Sequence, residues 1–165
     1  MAVTLDVDGL KFEFPDGWRA SKYDDWKFYR KQIAVQLQGV KAVDLLALSD
    51  TGEAFLIEVK DYSRPGTIKP SELPQAVAWK VVHTLAALLP ARLNANDADE
   101  KSLAADTLKC TRLNVVLHAD NPQNPPHAID PADLKLKLKS LLKAIDPRVK
   151  VSSRTNPAGV AWTVT

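Results

Sequence analysis

The chain has 165 residues, 45% of them apolar and 25% charged, and a formal net charge of +2; this is the make-up of one globular domain that can bury a core without metal or disulfide staples. The charge balance excludes a polycation, so any binding of nucleic acid must rest on a local patch. A single cysteine, Cys110, excludes an internal disulfide and reads as a small buried hydrophobe ahead of a strand.

There is no charged-then-apolar leader and no apolar run near 18 residues, which predicts a cytoplasmic protein without a membrane span. Val3 to Phe14 alternates apolar and polar residues around Asp8-Gly9, the dipeptide of two-residue hairpin turns, and Pro15-Asp16-Gly17 ends that hairpin. From Asp24 to Gln38 the residues Trp26, Tyr29, Ile33 and Leu37 fall near helical spacing, and Gly39 closes the segment. Val40 to Ser49 and Ala54 to Lys60 read as strands on either side of the turn Asp50-Thr51-Gly52.

After a loop holding Arg64, Pro65, Gly66 and Lys69, a long helix is expected from about Glu72 to Leu89, ending at Pro90. Its stripe of Leu73, Val77, Val81, Leu85 and Leu88 suits a helix laid on a sheet. Ala91 to Leu108 reads as a surface excursion with a loop at Asn94 to Asp97 and a short helix; Arg112 to Ala119 reads as a buried strand and Asp120 to Pro126 as a loop. Asp130-Pro131 opens a helix to about Ile145, with aspartate as cap and proline at the first helical position. Two short strands, Val149 to Ser153 and Val160 to Val164, then flank the turn Asn156-Pro157-Ala158-Gly159.

Glu58 and Lys60 interrupt the apolar run F-L-I-E-V-K, and Asp44 interrupts the strand before it. Residues two apart share a strand face, so Glu58 and Lys60 point one way and Phe55, Ile57 and Val59 the other. An unpaired buried carboxylate costs several kcal/mol, so these charges need partners. Two carboxylates on adjacent strands, with the Val59 carbonyl, supply the hard oxygen ligands Mg²⁺ prefers, and Lys60 stands where it can stabilise charge on a phosphate.

The residues Val43-Asp44 and Glu58-Val59-Lys60, in the order helix, strand, strand, helix, strand over about residues 24–119, resemble the PD-(D/E)xK or restriction-endonuclease-like nuclease superfamily. The resemblance implies an α/β fold with an αβββαβ core: a central mixed sheet flanked by helices, to which this chain adds an N-terminal β-hairpin and a C-terminal helix with two short strands, all in a single domain. It also implies a Mg²⁺-dependent (or Mn²⁺-dependent) endonuclease or exonuclease cutting DNA, with Asp44 and Glu58 as metal ligands and Lys60 assisting water attack. Asp24 or Asp25, with Asp25 preferred because it adjoins the stripe at Trp26 and Tyr29, would stand for the family's added acidic ligand, and Gln75, followed by Trp79, for a glutamine on the long helix. The rival reading keeps the fold as a catalytically inactive module binding nucleic acid or a protein.

Lys135, Lys139 and Lys143 share one face of the late helix, with Arg148 and Lys150 after it, and Lys41, Arg64 and Lys69 lie nearer the acidic residues. All are candidates for phosphate contacts, with DNA preferred over RNA as partner. None forms a base-reading motif, and pairing into a homodimer is left open.

Overall fold

The computed structural model of the chain describes residues 1–64, 72–121 and 129–165. Lys69, with Pro65 and Gly66, lies outside them, as does most of the loop expected from Asp120 to Pro126. The described chain is a mixed α/β structure in three layers. A five-stranded mixed sheet has order β3-β4-β5-β6-β7, formed by Arg19–Lys22, Leu45–Leu48, Glu53–Asp61, Arg112–Asp120 and Lys150–Ser152.

Strands β3, β4 and β5 form an antiparallel meander, and β5, β6 and β7 run parallel. The parallel crossovers carry the helices: α1 (Leu73–Asn94) and α2 (Ala98–Thr107) between β5 and β6, and α3 (Pro131–Leu142) between β6 and β7. On the helix-covered face Leu46, Leu56, Val115 and Leu117 pack against Val77, Val81, Leu88, Leu134 and Leu138. On the other face Leu45, Phe55, Ile57 and Val116 pack against Phe12, Phe14 and Trp162.

That second face is closed by a small antiparallel sheet of order β1-β2-β8, from Val3–Val7, Leu10–Phe14 and Thr163–Val164. The β1-β2 turn has Asp8 at φ 53° and Gly9 at φ 84°, the two left-handed residues that such a turn needs. The last two strands therefore do not form a hairpin: β7 joins the large sheet beside β6, and β8 crosses to pair with β2.

The expected helix from Asp24 to Gln38 is much reduced. Tyr23–Asp25 is a 3-10 turn, and helical residues 27–33 widen into a π-helical turn at Tyr29–Ile33. Its start is set from outside: the buried Glu100 carboxylate of α2 accepts from Lys27 N at 2.7 Å and Phe28 N at 3.1 Å. Trp26 is buried and Tyr29 and Ile33 pack against the core as the periodicity expected, but Leu37 ends up exposed.

The long helix runs past Pro90 to Asn94. Proline removes only its own N–H, and the carbonyl four residues back belongs to exposed Ala86, on the solvent side. At 22 residues and mean hydropathy 1.2, α1 is long and apolar enough to cross a membrane by length and composition. Its buried residues, Leu73, Val77, Val81 and Leu88, instead form the stripe that lies on the sheet, with Leu85 partly buried beside them.

Candidate carboxylate and lysine site

The register Leu46↔Leu56 and Leu45↔Ile57, continued by one residue, sets Asp44 opposite Glu58 on the helix-covered face. Asp44 sits just before β4, on a short segment held by other elements. Val43 N donates to Thr84 Oγ1 at 3.1 Å, Lys41 N donates to His83 Nδ1 at 3.0 Å, and Tyr23 N donates to the Asp44 carbonyl at 2.9 Å. The Asp44 carboxylate in turn accepts from Val59 N at 2.7 Å, which ties the two strands together beyond their ladder.

Glu58 is 1% exposed, and its charge is met by two ammonium groups on one oxygen. Lys60 Nζ lies 2.7 Å and Lys80 Nζ 2.6 Å from Glu58 Oε1, while Oε2 is buried without a hydrogen-bond partner. Lys60 comes from the same strand, and Lys80 reaches over from α1. Burial by itself would depress the Lys60 ammonium, but the charge and hydrogen bond of Glu58, with Asp44, hold its pKa above the usual lysine value.

Burial, followed by the neighbouring Glu58 charge, pushes the Asp44 carboxyl up to about 6, against the pull of Lys80, the Val59 N–H and Lys60. Burial and then Asp44 likewise raise Asp24 to about 6. Asp24, Asp44 and Lys80 line an open cavity of about 360 Å³, together with Tyr29, Arg30 and Lys41. The result is a pocket that sets the Asp24 and Asp44 carboxylates together among Arg30, Lys41 and Lys80.

These shifts fix a pH dependence. A carboxyl raised from 3.8 to about 6 on folding binds its proton more tightly in the native state, so its stabilising contribution is full below pH 4 and lost as pH rises through 6. Asp44→Asn, which keeps an acceptor for Val59 N, is expected to be more stable than wild type at pH 7 by about 2 kcal/mol and to show a flatter pH profile between 4 and 6. Thermal melts across that range measure it.

The other sequence-predicted residues separate. Asp25 turns to the surface, paired with Lys22 at 3.3 Å and with Arg30, so Asp24 and not Asp25 stands beside Asp44. Gln75 lies on the exposed face of α1, because the helix turns Leu73, Val77 and Val81 inward and so turns residue 75 outward. Trp79 is half exposed there and packs on His83 at 5.6 Å. Arg64 pairs with Asp61 at 3.1 Å outside the cavity lining.

Lys80 was missed, although a lysine three residues after Val77 and four before Thr84 borders the buried stripe; that position was its signal. Among the described residues no three His, Cys, Asp or Glu side chains are placed to hold one metal ion. A cation here would rest on Asp44, Glu58, the Val59 carbonyl and water.

A second basic feature lies at the far end of the sheet. Lys135 and Lys139 of α3 line a cavity of about 750 Å³ with Arg112, Arg148 and Lys150, against one carboxylate, Asp130. Asp130 is itself occupied as the cap of α3, accepting from Ala132 N at 2.9 Å. Lys143 is exposed beyond this lining, and Arg112 is an addition that only the fold brings in.

No family model matches the chain, and no solved structure matches it. The chain is similar to a cysteine–tRNA ligase. That protein, from Neisseria meningitidis serogroup A / serotype 4A, is 29% identical over an alignment covering 72% of this chain and 21% of the ligase. The chain thus spans about a fifth of the length of its curated relative. A relative named for joining cysteine to tRNA points away from a nuclease acting on DNA, and the expectations of a Mg²⁺-dependent DNA nuclease, a hydrolase and a DNA-binding protein are corrected on that finding.

Proposed function

We propose that this chain is an RNA-binding domain that grips the phosphates of a structured RNA, with tRNA as the kind of RNA, in the basic groove between α3 and β7. The observation that carries the reading is the groove itself, where Arg112, Lys135, Lys139, Arg148 and Lys150 share one lining with a single, already engaged carboxylate. Five cations in one concave surface give affinity for a polyanion by counterion release, even though the whole chain is near neutral. The similarity to a tRNA ligase favours RNA over DNA as that polyanion.

The scaffold belongs to the same proposal. An antiparallel meander β3-β4-β5, a crossover through α1 and a parallel β6 follow the strand and helix order of the restriction-endonuclease-like fold, with Glu58 on β5 and Asp44 just before the adjacent β4. We also assign Mg²⁺ to these two carboxylates. Glu58 Oε2 has no partner, and burial with the Glu58 charge presses on Asp44 beyond what Lys80, Lys60 and the Val59 N–H offset, an imbalance that a divalent cation would relieve. The donors are oxygens, as Mg²⁺ requires, and a bound ion would neutralise both carboxylates and attract a phosphate entering beside Lys41 and Lys80.

Fluorescence anisotropy with labelled tRNA and with duplex DNA of equal charge, across a salt series, tests the reading. The expected result is tighter binding of tRNA, with a log–log salt slope of about −0.7 to −0.9 per phosphate contact. Absence of RNA binding at low salt, or a preference for the duplex DNA, overturns it. Mg²⁺ is expected to raise the melting temperature of wild type at pH 7.5 and to leave that of Asp44→Asn unchanged.

A further inference from the structure

Helix α1 buries one stripe and exposes another whose spacing is as regular. Its outward residues are Glu72 at the N-cap and then Gln75, Trp79, Val82, Ala86, Leu89 and Leu93, at alternating steps of three and four. Trp79, Leu89 and Leu93 are 50%, 52% and 59% exposed. From Trp79 to Leu93 this is a 3-4-3-4 apolar seam, the a and d pattern of one helix packed along another, and a surface helix needs no such pattern to face water.

We propose that this seam pairs two copies of the chain, α1 against α1, in an antiparallel dimer. The seam has positive and negative ends: Glu72 lies at its start, and Arg92 beside Leu93 at its finish. Antiparallel pairing brings each Glu72 within about one helical turn of its partner's Arg92 and opposes the two helix dipoles, whereas parallel pairing sets like charges side by side. Antiparallel register also matches sizes, with Trp79 facing Leu89 of the other copy, and Val82 facing Ala86 at the centre, where small side chains permit close approach. A two-fold contact of this kind is self-complementary, so the same surface serves both copies.

The seam is about 32 Å long on a helix about 10 Å wide. Its footprint is well below the roughly 800 Å² per partner of a standard stable interface, which makes this a weak, concentration-dependent dimer.

Sedimentation equilibrium of the full chain, from about 10 μM to about 1 mM, tests the proposal. Wild type is expected to move from monomer to dimer mass within that range, and Val82→Lys/Leu89→Lys to stay monomeric with an unchanged melting temperature, since both side chains face outward. Glu72→Arg should weaken association several-fold, and adding Arg92→Glu should restore it. Wild type that stays monomeric at about 1 mM, a lysine variant that associates like wild type, or a charge swap without rescue each overturns the antiparallel α1 pair.

Discussion

Lys80→Ala is expected to destabilise the fold by about 3 kcal/mol, more than Lys60→Ala, because each leaves a buried carboxylate short of one of its two cations but only Lys80 bridges two layers. Glu58 is 1% exposed, and Lys80 and Lys60 are 21% and 32% exposed. Water can replace part of the Lys60 ammonium and less of the Lys80 one. Lys80 also anchors α1 to β5, so its loss loosens helix from sheet as well as leaving charge uncompensated. Urea denaturation of Lys80→Ala and Lys80→Met separates these effects: the methionine keeps the aliphatic stem over the sheet and loses only the charge. A loss under about 0.5 kcal/mol in both variants would mean that Glu58 is sustained without α1.

Lys135→Glu/Lys139→Glu is expected to lower affinity for tRNA at least tenfold at moderate salt and to flatten the salt slope by about 1.5, two contacts' share. Both side chains are exposed on α3, whose inward Leu134, Leu138 and Leu142 remain in place, so the melting temperature should not move. Lys143→Glu, outside the groove lining, is the matched control and should change affinity far less. Anisotropy titrations at several salt concentrations read both quantities. Equal effects from Lys143→Glu and the double variant would mean general attraction by net charge and not a groove.

Much of the architecture was legible because it rests on short-range rules. Asp8-Gly9 marked the β1-β2 turn since only left-handed residues close it, and Asp130-Pro131 marked the start of α3 since the aspartate caps N–H groups that the proline does not need. The stripe Leu73, Val77, Val81 and Leu88 marked the buried face of α1. The early helix was misjudged for the opposite reason: its first N–H groups are bound by Glu100, more than 70 residues away in sequence, which local periodicity cannot register.

The carboxylate pair was legible for the same local reason, and its surroundings were not. Strand alternation put Glu58 and Lys60 on one face, and apolar neighbours on both sides of Glu58 demanded a counter-charge. Which cation answers, and which aspartate stands nearby, depend on how α1 and the Tyr23–Asp25 turn are laid against the sheet. Lys80 was therefore overlooked, and Asp25 was preferred to Asp24 although the two differ by a single step around a tight turn.

The sequence by itself determined that charge lies inside an apolar strand at Glu58 and Lys60 and beside its neighbour at Asp44, just before β4, because a two-residue period and the cost of burying charge are properties of the chain alone. Only the tertiary structure decided what that charge meets. Parallel crossovers bring α1 over β5, so that Lys80 closes on Glu58 at 2.6 Å. They also bring α3 beside β6 and β7, so that Arg112, Lys139 and Lys150 share one groove. Such convergences join residues tens of positions apart, and they exist only once the sheet has fixed the order of its strands.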